Sequence, residues 1–183
     1  MDAEGNVIAK QGDRTVAGFQ KTLDALATVA KLEAKEKAGD ASVAADLLLA
    51  RLQTGSVDIT AAKQKRATLD KTDAAKLKVI DQMLTNVEFA TISRAPMQSK
   101  EDSEARSRTF AEMYKAGRIP DGQMTINFCN AVAAYAAGQK DVALLEQVLG
   151  TMRQAAGDKS PYKTLVERHE KALEKLKAEA GGK

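Results

Sequence analysis

One punctuation recurs along this sequence: a glycine, then within a few residues an aspartate or a serine. The glycines are Gly39, Gly55, Gly117, Gly138 and Gly157; the residues that follow are Asp40, Asp58, Asp121, Asp141 and Ser160. Glycine enters the left-handed conformation that ends a helix at little cost, and Asp or Ser accepts the orphan amides that begin the next one. A chain marked this way folds as a series of short helices. Ser160-Pro161 adds a proline suited to the first helical position. Ser99, with Asp102 three residues on, reads as a variant capping box. Arg94-Ala95-Pro96 breaks the middle and is the expected division between two helical parts.

Between these marks the spacing predicts a first helix from about Thr15 into the Lys31–Lys37 stretch. Further helices follow near 41–54, 58–69, 72–92, 99–116, 121–137, 141–156 and 160–179. Five of the expected helices carry an apolar pattern at helical spacing. The stripes are Val16, Phe19, Leu23, Leu26 and Ala30 on the first, Val43, Leu47, Leu48 and Leu52 on the second, and Leu77, Ile80, Leu84 and Val87 on the fourth. Ile126, Phe128, Cys129, Val132, Ala133 and Tyr135 cover most of one circumference, so that helix is expected at the centre. Leu145, Val148, Leu149 and Met152 line the next. Alanine is the commonest residue and aromatics make up only 4%, which favours helix and a thin core.

The fold class read from this is all-α: an irregular stack of antiparallel helical hairpins, a tetratricopeptide-like superhelix or bundle, with a short N-terminal β fragment. Gly138 followed by Ala143 matches the glycine and small-residue spacing of a tetratricopeptide turn. Strict repeats are not expected, because no two segments align well. Glu4-Gly5-Asn6 is a turn signal, with Val7 and Ile8 as a short strand behind it. Residues 1–12 are expected to be extended and poorly tied down, or paired with another copy as an exposed edge, because Val7 and Ile8 have no sheet partner in the chain.

Charge narrows the partners. There are 28 basic and 25 acidic residues, for a formal charge of +3, which makes a mixed solvated surface rather than a nucleic-acid footprint. The densest basic stretch, Lys63, Lys65, Arg66 and Lys71, has no aromatic interleaving and reads as a solvated helix face. No apolar run is long enough to span a bilayer, and no basic start with an apolar stretch marks a signal peptide.

No catalytic, cofactor-binding or metal-binding residue is assigned from the sequence, and no cofactor is expected. Cys129 sits among Phe128, Val132 and Ala133 and reads as a buried small hydrophobe. His169, the one histidine, lies four residues from Leu165 and three from Ala172, at the edge of an apolar stripe. Alone it does not assemble a zinc site. Glu101, Asp102 and Glu104 fall in or beside a first helical turn, where carboxylates suit the macrodipole. Tyr114, Tyr135 and Tyr162 are the amphipathic aromatics, candidates to anchor a protein or peptide partner.

Asp2–Ile8, followed by Gly12-Asp13-Arg14-Thr15-Val16-Ala17-Gly18-Phe19 and Leu23, resembles the tail of a thioredoxin-like domain. In that family an Asp-x-x-Gly turn joins the last two strands, and an amphipathic helix with an early Phe closes the fold. Asp46-Leu47-Leu48-Leu49 through Gly55, Asp58-Ile59, and Ala116-Gly117-Arg118-Ile119-Pro120 are similar to helical extensions on some bacterial members. The resemblance implies that residues 1–37 are a remnant of a thioredoxin-like domain and 38–183 a helical domain, with a periplasmic or exported location. The family's chemistry needs a Cys-x-x-Cys pair, and this chain has one cysteine; it also lacks the family's cis-proline loop.

The functional expectation is a non-enzymatic helical protein-interaction or scaffold region of a thioredoxin-like protein. The alternative is a substrate-positioning or dimerisation part of a thiol–disulfide oxidoreductase whose Cys-x-x-Cys portion is missing from this chain. A purely structural homodimer is a third reading.

Overall fold

Capping chemistry sets the helix boundaries of this protein. The structure, a computed structural model, describes residues 15–69, 73–157 and 160–181. Among them the only regular structure is helical: α1 (Val16–Lys37), a 3-10 turn (Ala41–Val43), α2 (Ala44–Thr54), α3 (Ile59–Thr68), α4 (Ala74–Arg94), α5 (Lys100–Lys115), α6 (Gln123–Gly138), α7 (Val142–Ala156) and α8 (Ser160–Gly181). The all-α expectation holds for these residues. The expected β fragment at Asp2–Ile8 lies outside them, as do Lys71 and the Ser160 and Pro161 side chains.

Asp58 accepts from the Thr60 and Ala61 amides at 2.8 and 3.3 Å, and Asp141 from the Leu144 amide at 3.0 Å. Ser99 and Asp102 form a reciprocal capping box, each side chain taking the other's amide at 3.0 Å. Three helices end in the same pair of backbone bonds. In each the second amide reaches back five residues: Asp40 to Lys35, Ser56 to Arg51 and Arg118 to Met113, at 2.9–3.1 Å, beyond Gly39, Gly55 and Gly117.

Two expected marks are displaced. Asp121 does not start α6; Gly122 is its cap, at φ 58 and ψ −137, a region open essentially to glycine alone. Gly138 does not stop α6 but is its last residue. The left-handed position is taken by Lys140 at φ 57, and the Asp141 amide reaches the Ala136 carbonyl at 2.9 Å. The same hydrogen bonds form without glycine, at a backbone cost to a residue carrying Cβ.

The described residues fall into two compact units divided between Val87 and Glu88, inside α4. The Arg94-Ala95-Pro96 break ends that helix instead. Arg106 stabilises the end, its guanidinium donating to the Ser93 carbonyl at 3.1 Å and to the Ala95 carbonyl.

The first unit packs α1, α2, α3 and the front of α4 around Leu48, Leu52, Ala62, Leu77, Ile80 and Leu84. Val29, Leu47 and Ala50 form a smaller cluster between α1 and α2. Ion pairs link its helices in a closed ring. Arg51 meets Glu33 at 2.7 Å, Lys65 meets Glu36 at 2.8 Å, Arg66 meets Asp81 at 2.7 Å and Lys76 meets Asp46 at 2.8 Å. All are partly exposed, so each adds little stability, but together they set how the helices are matched.

The second unit is built on α6, which packs against α5, α7 and α8. Phe128, Cys129, Val132, Ala133 and Ala136 on α6 are fully buried, as the near-circumferential apolar pattern predicts. Phe128 meets Phe89 edge-on with centroids 5.5 Å apart, Phe110 at 5.7 Å, and Tyr114 in a stack at 6.4 Å.

The front of the α1 stripe lies at the surface. Val16, Phe19 and Leu23 are 89%, 53% and 58% exposed, and Ala30 is exposed as well. The rear of the helix packs through Val29 and Leu32 instead, because that is where α2 meets it.

Phe128→Ala is expected to cost about 3–5 kcal/mol in urea unfolding, through lost ring contacts and a cavity. Lys140→Gly is expected to stabilise by about 1 kcal/mol, by relieving the left-handed backbone. A Lys140→Gly variant less stable than the parent would refute the termination geometry.

Candidate functional site

Reactive side chains in this protein are engaged in packing or capping. Cys129 lies in the middle of α6 with no exposed surface. Burial among apolar side chains pushes its thiol up to about 12. A thiol in that state carries almost no thiolate at neutral pH and is not a nucleophile.

His169 is 4% exposed and faces α6 from α8. The Asn130 side-chain oxygen lies 2.9 Å from His169 Nε2 and 2.9 Å from Arg168 Nη2. A guanidinium offers only donors, so the amide oxygen must face Arg168. The imidazole beside it therefore donates through Nε2–H. Arg168 Nη2 lies 3.4 Å from that same nitrogen, a contact between two donors rather than a bond. Burial, and secondarily the Arg168 charge, hold the imidazole below its ordinary value of 6.5.

The acidic residues at the start of α5 separate by role. The Gln98 amide first, and the Ser99 hydroxyl next, hold the Asp102 carboxyl below the usual range, as befits a cap. Glu101 is exposed, and Glu104 pairs weakly with Lys100 at 3.8 Å. Of the basic stretch, Lys65 and Arg66 are turned to Glu36 and Asp81.

Tyr114, Tyr135 and Tyr162 are all half-buried against the second unit's core. The Tyr114 hydroxyl lies 2.8 Å from the Thr151 hydroxyl, and Tyr162 accepts from Gln123 Nε2 at 3.2 Å. No ring contact joins the three to one another among the described residues.

Besides a hollow of about 420 Å³ at Leu165, Arg168 and Lys171 on α8, two others accompany these groups. One, of about 510 Å³, is lined by Ser42, Lys65, Thr68, Asp73 and Lys76; Lys65 pairs with Glu36, and Lys76 with Asp46 and Asp73. The other, of about 350 Å³, lies between α7 and α8 over Ala156 and Val166, where Arg153 holds Glu170 through two nitrogens at 2.8 and 2.9 Å. No group of three His, Cys, Asp or Glu is placed to hold a metal ion among the described residues. No described helix is long and apolar enough to cross a membrane.

Asn130 is the residue that sequence reasoning missed. The available signal was a carboxamide flanked by Cys129 and Ala131 in an otherwise apolar stretch. Its partner lies 39 residues away, beyond any local pattern.

Comparison with protein-family models, curated proteins and solved structures finds no match. The functional reading rests on this chain's own residues.

Cys129 is expected to resist iodoacetamide in the folded protein at neutral pH and to react promptly in guanidinium. Native-state labelling at the rate of a free thiol, followed by mass spectrometry, would contradict its placement.

Proposed function

We propose that this chain is a non-enzymatic helical protein-interaction or scaffold region, with stacked hairpins related in shape to tetratricopeptide arrays. The observation that carries the reading is the outward face of α1. Val16, Phe19 and Leu23 stand three and four residues apart, on one side of the helix, and all three are more than half exposed. Apolar side chains grouped on one helix face gain free energy when another surface covers them. The chemistry of the remaining groups supports the same reading. The one thiol is buried, the one imidazole is hydrogen-bonded inside a helix interface, and the Asp102 carboxylate caps α5.

Tyr114, Tyr135 and Tyr162 are proposed as secondary anchors, since each combines a packed ring with a hydroxyl suited to a partner's polar groups. The thioredoxin-like origin is a proposal resting on α1 as well. A closing helix of that family carries an early Phe on an apolar face, and Phe19 stands near the start of α1 on such a face.

The test is the double variant Phe19→Glu/Leu23→Glu, compared with the parent by light scattering and by quantitative affinity capture. Both side chains are exposed, so the thermal melt is expected to stay unchanged. Self-association or capture of a specific protein is expected to weaken at least about tenfold. The same oligomeric state and the same captured proteins for both would contradict the proposal.

A further inference from the structure

We propose that His169 is an acid-sensitive latch. Its protonation places a second cation at the Asn130 oxygen already bound by Arg168, with no carboxylate facing it among the described residues, and so loosens α8 from α6 and α7. The inference rests on the cluster's geometry and is independent of the reading of α1.

His169 shares its side of α8 with Leu165, Val166, Ala172 and Leu173, all apolar. Val166 is buried, and Leu165, Leu173 and Leu176 pack against the same core. The imidazole is thus the polar contact within an apolar seam. Each packed element contributes a known set of charges. From Gln123 to Gly138, α6 carries no Asp, Glu, Lys or Arg; it offers only the Asn130 amide. On α7, Glu146 is held by Lys177 at 2.5 Å and Arg153 by Glu170 at 2.8 Å. On α8 itself Arg168 is adjacent, while Glu167 and Lys171 lie at the exposed surface. An imidazolium here meets a guanidinium and a shared amide oxygen, and no counter-charge among the described residues.

The direction follows from linkage. In the docked state burial and Arg168 hold the imidazole below 6.5; once α8 opens, the ring regains its ordinary value. Above 6.5 both states are neutral and docking has its full strength. As pH falls below 6.5 the open state takes up the proton first, and docking weakens. The loss ends once pH passes the docked-state value, where both states are protonated. Only one histidine is present and the thiol is pushed up to about 12, so among the side chains a proton taken up just below neutrality belongs to this ring. Opening uncovers the apolar sides of α6 and α7 that Val166 and Leu173 cover.

The experiment is native-state hydrogen exchange on the full chain from about pH 7.5 to 5.5, corrected for intrinsic exchange chemistry, with α2 amides as the internal reference. Protection of α8 amides is expected to fall by up to about tenfold per pH unit below 6.5, while α2 stays level. His169→Gln is expected to remove this pH dependence. Arg168→Gln keeps a donor for Asn130 but removes the charge, and is expected to raise the midpoint of the single imidazole followed by NMR. Should His169→Gln prevent folding, that midpoint shift carries the test. A level α8 in the parent protein, an equal loss in α2, or the same pH dependence in the parent and in His169→Gln would overturn the latch; so would an unmoved midpoint in Arg168→Gln.

Discussion

The second unit depends on burying α6. A helix with apolar side chains on most of its circumference and no charged residue is not stable against water on any side. It needs neighbours all round, and α5, α7 and α8 supply them. Three of the four phenylalanines, Phe89, Phe110 and Phe128, are gathered at this helix. In a chain with so few aromatics, that concentrates the largest burial and the most directional packing in one place. Asn130 and His169 are the polar exception within it. Their hydrogen bond satisfies two groups that would each be costly to bury alone, and it ties the last helix to the central one.

The first unit works with smaller means. Its core is mostly leucine and alanine, and its helices are joined around the outside by four ion pairs in a ring. Such pairs contribute modestly to stability but disfavour mismatched packing. Against that economy the front of α1 stands out, because it leaves Val16, Phe19 and Leu23 exposed. The exposed face of α1 is the feature on which the proposed interaction role rests.

Much of the fold was legible from local chemistry. Caps at Asp58, Ser99 and Asp141, and helix ends at Gly39, Gly55 and Gly117, involve residues a few positions apart, so the sequence displays them directly. The stripes on α2, α4, α6 and α7 were legible for the same reason. What escaped was set by longer range. Lys140 takes a conformation usually left to glycine because the turn into α7 requires it there, not at Gly138. The α1 stripe is legible as apolar, but its exposure is not, since periodicity says which face is apolar and not whether a partner covers it. The Asn130–His169 pair joins positions 39 residues apart, and neither residue's neighbours point to the other. The thioredoxin-like turn at Asp2–Ile8 falls outside the described residues.

The central claim is that one apolar helix, α6, is enclosed while another apolar face, on α1, is left open. An aromatic NOE spectrum of the full chain tests both halves at once. The account predicts strong cross-peaks among the rings of Phe89, Phe110 and Phe128, and a Phe19 ring that contacts only neighbours on its own helix and responds to a soluble paramagnetic probe. Cross-peaks from Phe19 to buried methyl groups of the same chain, or three phenylalanine rings without mutual contacts, would contradict it.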